Sequence, residues 1–209
     1  MELMEILRKT KIIPVAVLEN TDDACRVAEL LLKHDLSVIE VTLRTENALK
    51  CITAVVEKFP EMSIGAGSVL SKDGLRAAQD GGARFAVSPG LDVDLLTYAR
   101  TREIPFVPGI ATPSEIIKAL EFGSIVKIFP AAALGGIEYI NAIAAPFKMK
   151  ELHLMPTGGV NAANFMDYLK ADRVIACGMT YIVDGNLLRE KNYREIERRI
   201  EESIRRRDE

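Results

Sequence analysis

The sequence predicts an α/β fold, a single (β/α)8 (TIM) barrel domain over residues 1–209 with a short helix in front of its first strand. Three observations support this prediction. Short apolar runs alternate with longer amphipathic segments along the whole chain. There are eight such runs, which is the number that closes a barrel. The first run is followed by Leu18-Glu19-Asn20-Thr21, without the glycine-rich turn that an open doubly wound sheet would place there.

The eight strand candidates are nearly continuous in apolar residues. Alternation of apolar and polar residues would indicate a sheet with one solvated face, whereas continuous runs are typical of parallel strands covered on both faces. The predicted strands are Ile12–Leu18, Val38–Leu43, Ser63–Val69, Phe85–Ser88, Phe106–Ile110, Ile125–Phe129, His153–Pro156 and Val174–Cys177.

The helices between these strands are predicted from their first residues and their apolar spacing. Thr112-Pro113-Ser114-Glu115 is a capping box with proline at the first helical position. Thr21, Asp92 and Asn161 are predicted to begin three further helices. A last helix is indicated by apolar residues at helical spacing from Tyr193 to Ile204.

Composition excludes several classes of function. The formal net charge is −3 and no basic stripe interleaves with aromatic residues, so a nucleic-acid partner is not expected. No apolar stretch is long enough to span a bilayer, and no signal peptide is recognisable, so a cytoplasmic protein without a membrane partner is predicted. The three cysteines are far apart and are expected to be reduced. The two histidines, His34 and His153, have no neighbours at metal-ligand spacing, so no metal site is predicted and both are interpreted as structural.

Lys127 and Glu40 are the two candidate catalytic residues. Each is a lone charge inside an apolar strand, and burying an unpaired charge is costly. Burial of an amine favours its neutral form, which can attack a ketone to make a Schiff base. A partly desolvated glutamate can shuttle the protons that imine chemistry requires. The alternative interpretation is a purely structural ion pair between the two residues.

Other candidate residues lie where the predicted strands end, at the face of a barrel that carries active sites. Arg44 offers a planar fork for a carboxylate. The glycine turns Thr157-Gly158-Gly159 and Gly178-Met179-Thr180 leave backbone N–H groups accessible, and barrels often bind phosphate after the last two strands. Tight turns also require glycine, so an anion site here is a hypothesis that depends on the fold.

Six motifs together resemble the family of 2-keto-3-deoxy-6-phosphogluconate (KDPG) aldolases and 4-hydroxy-2-oxoglutarate (KHG) aldolases. They keep the order and spacing of that family over nearly the whole chain. The motifs are Glu40-Val41-Thr42-Leu43-Arg44-Thr45, Gly65-Ala66-Gly67-Ser68-Val69-Leu70, Ser88-Pro89-Gly90-Leu91, Pro108-Gly109-Ile110-Ala111-Thr112, Lys127-Ile128-Phe129-Pro130-Ala131 and Pro156-Thr157-Gly158-Gly159-Val160.

The resemblance implies a class I aldolase that splits KDPG into pyruvate and glyceraldehyde 3-phosphate, without a metal or other cofactor, in a cytoplasmic homotrimer. It implies Lys127 as the Schiff-base lysine and Glu40 as the general acid and base. The implied substrate contacts are Arg44 and Ser68 to the pyruvate carboxylate, Pro89 and Phe129 around the pyruvyl group, and Gly158, Gly159, Gly178 and Thr180, beside Thr157, to the distal phosphate.

Four positions depart from the family pattern. Ser68 replaces a usual threonine, Ala132 a common glutamate, and Met179 a common glycine, while Glu19 stands where many members carry a base. An acid at Glu19 would repel an anionic substrate. KHG, which carries no phosphate, or another 2-oxo acid is therefore an alternative substrate. A barrel isomerase or decarboxylase acting on a sugar phosphate without imine chemistry, and a catalytically silent barrel, are more remote alternatives.

Overall fold

The computed structural model describes residues 3–209, and the strands within them lie close to the predicted ones. All the strand pairs are parallel. The strands are β1 (Ile12–Ala16), β2 (Val38–Thr42), β3 (Ser63–Gly67), β4 (Phe85–Val87), β5 (Phe106–Val107), β6 (Gly109–Ile110), β7 (Ile125–Ile128), β8 (His153–Pro156) and β9 (Cys177–Met179).

A helix precedes β1, and helices follow most of the strands. A 3-10 helix at Ala145–Phe147 extends the seventh of them. The helices are α1 (Leu3–Thr10), α2 (Thr21–Lys33), α3 (Ala48–Lys58), α4 (Lys72–Asp80), α5 (Val93–Thr101), α6 (Pro113–Ala119), α7 (Gly136–Ala144), α8 (Phe165–Leu169), α9 (Gly185–Arg189) and α10 (Tyr193–Asp208).

The strands form two parallel sheets that follow each other around a common core. The larger sheet has the order β5-β4-β3-β2-β1-β9 and the smaller one the order β6-β7-β8. Two isolated parallel bridges, Leu154 to Val174 and Thr157 to Gly178, connect β8 with the chain around β9. The α/β class and the parallel arrangement agree with the prediction.

Five of the strands end one or two residues before their predicted ends, and two others differ more. The fifth predicted strand is divided into β5 and β6 at Pro108, because proline has no N–H with which to continue a ladder. The eighth was predicted at Val174–Cys177 and lies at Cys177–Met179. Val174 makes only an isolated bridge, whereas Met179 is fully buried and pairs with Pro14.

The helix starts follow capping chemistry. Thr112 caps α6 by accepting from the N–H of Glu115, whose carboxylate accepts the Ala111 N–H, so the predicted capping box is confirmed. Asp92 caps α5 as predicted. α2 begins at Thr21 as predicted, and the preceding Asn20 is its N-cap. Asn161 was expected to begin a helix, but its side chain closes a turn and α8 starts after Asn164.

Candidate active site

Lys127 and Glu40 meet in the interior of the fold. Lys127 lies on β7 and Glu40 on β2, and the Lys127 Nζ is 3.4 Å from Oε1 of Glu40. Only 5% of Lys127 and 1% of Glu40 is exposed. Both charged side chains therefore point inwards, and neither reaches solvent along the helices. The fold brings together the two residues that the sequence singled out for chemistry.

The neighbours of Glu40 explain how a carboxylate fits inside the sheet. Glu40 pairs with Val15 on one side and with Gly65 on the other. A Cβ atom on Gly67 would overlap Oε1 of Glu40. Gly67, one step closer to the strand end, is therefore required to be glycine because the carboxylate occupies the space of its side chain.

Two buried polar atoms at this site have no hydrogen-bond partner among residues 3–209. They are Oε2 of Glu40 and Oγ1 of Thr157, the residue directly after β8. Buried polar atoms are normally paired, and an unpaired one costs roughly 1–3 kcal/mol. Each of the two atoms is therefore available to a substrate or a water molecule.

The Lys127 ammonium also faces the ring of Phe129, whose centroid is 5.4 Å from Nζ. Lys127 pairs with Gly109 on β6. A Cβ atom on Gly109 would overlap the carbonyl of Pro89, so that glycine allows the loop after β4 to approach β6. Phe129, directly after β7, thus faces Lys127, and Pro89 lies against Gly109 on the neighbouring strand.

Arg44 and Ser68 lie side by side just beyond β2 and β3. The Arg44 Nε donates to Oγ of Ser68 over 3.0 Å, and Arg44 is exposed. Ser68 has a φ of 55°, a left-handed conformation that is costly for a residue with a side chain. The strain is retained at a position where the hydroxyl meets the guanidinium.

The glycine turns after β8 and β9 lie at the same end of the parallel strands as Arg44 and Ser68. Gly158 and Gly159 have φ values of 93° and 76°. Ala132, in the loop that follows β7, donates its N–H to the Gly158 carbonyl over 3.0 Å, and a Cβ on Gly159 would overlap its methyl group. Among the described residues, the N–H groups of Gly159 and Thr180 find no backbone acceptor, and both residues are exposed.

Gly178 is needed for packing as well as for the turn. A Cβ atom there would overlap the hydroxyl of Thr157, with which Gly178 forms a bridge. The unpaired hydroxyl and the glycine turns therefore lie together. Met179, between Gly178 and the exposed Thr180, is buried and acts in packing.

Glu19 lies at the edge of this face beside two cations. Its carbonyl accepts from the Asn47 side chain over 3.0 Å. Glu19, Arg189 and Lys191 line one cavity of about 560 Å³ together with Asn20. Lys191 is already paired with Asp23, which lines the same cavity, so the charge that can counter the repulsion from Glu19 is that of Arg189.

Some of the predicted site residues contact one another directly, and the rest lie near these contacts. Direct contacts join Lys127 with Glu40 and Arg44 with Ser68. The others surround these pairs at strand ends. Sequence reasoning missed that Gly67 and Gly109 leave space for neighbouring groups, although a glycine inside a strand is itself the signal of a close approach.

Comparison with known proteins places this geometry in a family. The sequence model of the family of KDPG and KHG aldolases matches residues 3–199. The chain belongs to this family. A KDPG aldolase of Haemophilus influenzae is 39% identical over 97% of this chain and 95% of its own length. A KHG/KDPG aldolase of Escherichia coli is 38% identical over 95% and 93% of the two chains.

A solved structure supports the fold. The KDPG aldolase of Legionella pneumophila, with pyruvate captured as a covalent carbinolamine, superposes with a TM-score of 0.90 at 35% identity and covers 96% of this chain and 97% of that one. The α/β fold is thus that of the aldolase family. Among the described helices, none has the length and apolarity needed to cross a membrane.

Proposed function

We propose that this chain is a class I aldolase that cleaves KDPG into pyruvate and glyceraldehyde 3-phosphate through a Schiff base on Lys127. The observation that carries the proposal is the buried contact of Lys127 with Glu40, an acid that retains one unpaired oxygen. A pair kept only for stability would gain from satisfying both oxygens. Membership of the family supports the same chemistry.

The reaction begins with attack of the Lys127 amine on the C2 ketone. Proton transfer from the ammonium to Glu40 over the 3.4 Å contact supplies the neutral amine and leaves a carboxylic acid. The carbinolamine forms, and the acid donates its proton to the departing C2 hydroxyl, which leaves as water. The product is a protonated imine and a carboxylate at Glu40.

In the cleavage step Glu40 accepts a proton, whereas in imine formation it donated one. The Glu40 carboxylate, directly or through water, removes the proton of the C4 hydroxyl. The C4–O electrons form the aldehyde carbonyl, the C3–C4 bond breaks, and its electron pair moves into the imine to give an enamine. Protonation of the enamine at C3 and hydrolysis of the resulting imine release pyruvate and restore the Lys127 amine.

The remaining residues bind the two ends of the substrate. Arg44 and Ser68 hold the pyruvate carboxylate, since the guanidinium of Arg44 is exposed and already oriented by the serine hydroxyl. The methyl end of the pyruvyl group packs between Pro89 and Phe129. The accessible N–H groups at the glycine turns and the unpaired hydroxyl of the preceding threonine receive the distal phosphate; these residues are Thr157, Gly158, Gly159, Gly178 and Thr180.

A second substrate is favoured by one observation, the acid at Glu19. KHG, which would yield pyruvate and glyoxylate, has no phosphate to be repelled. Arg189 in the same cavity favours the phosphorylated substrate. The ratio of kcat/KM for the two substrates separates the proposals. A Glu19→Gln variant should raise kcat/KM for KDPG a few-fold by removing a like charge, and raise that for KHG less, because the distal carboxylate of KHG carries less charge than a phosphate.

The proposal includes the assembly of the enzyme. We infer that residues 1–209 form one domain, in which β5 and β6, interrupted at Pro108, share one position and the bridges from β8 to the chain around β9 complete an eight-position barrel. We further propose a cytoplasmic homotrimer, as the family resemblance implies. Light scattering coupled to gel filtration measures the mass directly, and a monomer mass would contradict this part of the proposal.

The decisive experiment is borohydride reduction in the presence of pyruvate, followed by intact-mass analysis and peptide mapping. Reduction of the imine should add one pyruvate-derived group to Lys127, and the adduct should be absent without pyruvate and absent in Lys127→Arg. Lys191→Arg is the matched control and should be trapped like the wild type. A folded protein that forms no adduct would exclude the class I mechanism and favour a barrel isomerase or decarboxylase.

A further inference from the structure

We propose that His34, Glu197 and Glu201 form a binding site for a divalent transition-metal ion, at the opposite end of the fold from the aldolase site. The Nε2 atom of His34 is 3.2 Å from Oε1 of Glu197 and 3.6 Å from Oε1 of Glu201. One ligand atom from each of the three residues lies within 4.8 Å of the others. Glu197 and Glu201 are 163 and 167 residues from His34 in the sequence, so spacing along the chain does not reveal the site.

The local structure explains why these side chains converge. His34 is the C-cap of α2, and Glu197 and Glu201 are one turn apart on α10, so that their side chains share a face. The C-terminus of α2 precedes β2, which places it at the start of the strands, whereas Lys127 and the glycine turns belong to the strand ends. The site is therefore independent of aldolase chemistry.

The distances match metal coordination. Zinc–nitrogen and zinc–oxygen bonds are about 2.0–2.2 Å, so two ligands of a tetrahedral ion lie roughly 3.3 Å apart. Both distances from His34 are within a few tenths of an ångström of that value. Three protein ligands also leave a coordination position for water. The three ligand atoms lie within 4.8 Å of one another, and the exposed Glu201 side chain can rotate toward the ion to shorten the remaining separation.

The ligand set decides the class of ion. An imidazole nitrogen with two carboxylates suits zinc, cobalt, nickel or copper. Calcium and magnesium prefer sites made of oxygen alone, and magnesium also keeps several of its waters. The site should therefore select a transition metal, and Zn²⁺ is the appropriate probe.

Lys33 is the competitor of the ion. Its Nζ lies 2.6 Å from the same Glu197 oxygen that faces His34. The lysine side chain is largely exposed, so it can swing into solvent when a doubly charged ion takes its place. Removal of this ammonium should consequently strengthen metal binding, whereas removal of an ordinary surface lysine should not.

The bound ion would act as a cross-link between α2 and α10. Like charges one turn apart on a helix are unfavourable, and an ion would convert that repulsion into attraction for both carboxylates. An ion that binds only the folded state at 100 times its dissociation constant shifts the unfolding equilibrium about 100-fold. The C-terminal helix would be the element that gains most.

The test is equilibrium dialysis and calorimetry of the full chain with ZnCl2, together with thermal unfolding. His34→Gln and Glu201→Gln should each weaken Zn²⁺ binding by more than about 10-fold, because even the loss of an outer-shell partner commonly costs that much. Lys33→Met should tighten it. His153→Gln is the matched control, because His153 has a single carboxylate nearby, Glu151 at 3.3 Å.

Each outcome decides the proposal. Stoichiometric binding that follows the pattern of the variants, with a raised melting temperature, supports it. Absence of saturable binding by the wild type, or binding retained in His34→Gln, overturns it. Cys25→Ser excludes a thiol site, since that cysteine is half-buried and free; loss of binding in this variant would also overturn the proposal. Pyruvate trapping on Lys127 should be unaffected by the His34 and Glu201 variants.

Discussion

Two of the lysine–carboxylate pairs that connect distant parts of this chain, Lys191–Asp23 and Lys127–Glu40, differ in how many of their polar atoms are hydrogen-bonded. Lys191 lies 2.5 Å from Asp23, which also accepts hydrogen bonds from Tyr193 and from the Asn20 side chain. Both oxygens of Asp23 are satisfied.

Lys127 and Glu40 lie farther apart, at 3.4 Å. They are buried, and the second oxygen of Glu40 has no partner among the described residues. The first pair is built for stability, and the second keeps capacity for a reactant.

The pKa of Asp23 reflects its full set of hydrogen bonds. Burial raises the pKa of Asp23, but the hydrogen bonds from Lys191, Tyr193 and Asn20 outweigh that effect and hold the pKa below its ordinary value. The carboxylate is therefore kept charged by its neighbours. Such a set of hydrogen bonds would not help a carboxylate that must alternately accept and release protons.

The largest effect should come from removing both charges of the buried pair. In Lys127→Met/Glu40→Met, aldol cleavage should fall by at least about 10,000-fold, because no nucleophile remains. Replacing a buried ion pair with apolar residues is often neutral or stabilising by about 1–4 kcal/mol, so the melting temperature should be equal or higher. Turnover assays and thermal unfolding measure the two quantities. A strongly destabilised variant would show that the pair is structural.

The Glu40→Gln variant isolates proton transfer. Turnover should fall by about 100- to 10,000-fold, the usual contribution of a general acid and base. Lys127 is still present, so borohydride should trap pyruvate on it more slowly. If turnover stayed within 10-fold of the wild type, Glu40 would not be the proton shuttle.

The Gly67→Ala variant tests whether the position of Glu40 matters. The added methyl group would overlap the carboxylate and displace it, and a misplacement of about 1 Å can cost on the order of 100-fold in rate. Gly123→Ala is the control, because a Cβ atom at Gly123 has no atom within 4 Å. Steady-state kinetics should show a loss in kcat for Gly67→Ala and none for Gly123→Ala.

The Asp23→Asn variant tests the other pair. It should lose about 1–3 kcal/mol of stability at pH 7, since a charged hydrogen-bond acceptor is removed, with little change in turnover. A carboxyl group whose folded-state pKa is lowered contributes stability above its unfolded pKa, near 3.9, and loses it as pH falls through the folded value. Denaturant unfolding should therefore show the gap to the wild type shrinking below about pH 4. A gap independent of pH would contradict this account.

The elements that the sequence predicted correctly are those decided by local chemistry. The capping box before α6 and the cap of α5 depend on contacts three residues apart, and both are present. Lys127 and Glu40 could be paired from sequence because each was a solitary charge in an apolar strand. Their joint burial then required a common interior, which the barrel prediction supplied.

The features that the sequence did not predict depend on long-range contacts. The last strand moved because pairing with β1 selected Cys177–Met179 over the equally apolar Val174 segment. The cluster around Asp23 joins residues 168 and 170 positions apart, and its members look like ordinary surface residues in the sequence. The same is true of His34 and its two carboxylates. No local sequence pattern predicts these long-range contacts.

The pairing of β1 with β9 also has a consequence for biosynthesis. One edge of β1 can pair with β2 soon after both strands leave the ribosome. The other edge can pair only when Cys177–Met179 has been synthesised, roughly 165 residues later. At translation rates of about 5–20 residues per second, the wait is on the order of 10 seconds or more. During that time the apolar strand Ile12–Ala16, buried in the finished protein, presents an unpaired edge. The nascent chain should therefore be a substrate for ribosome-associated chaperones until its last strand emerges.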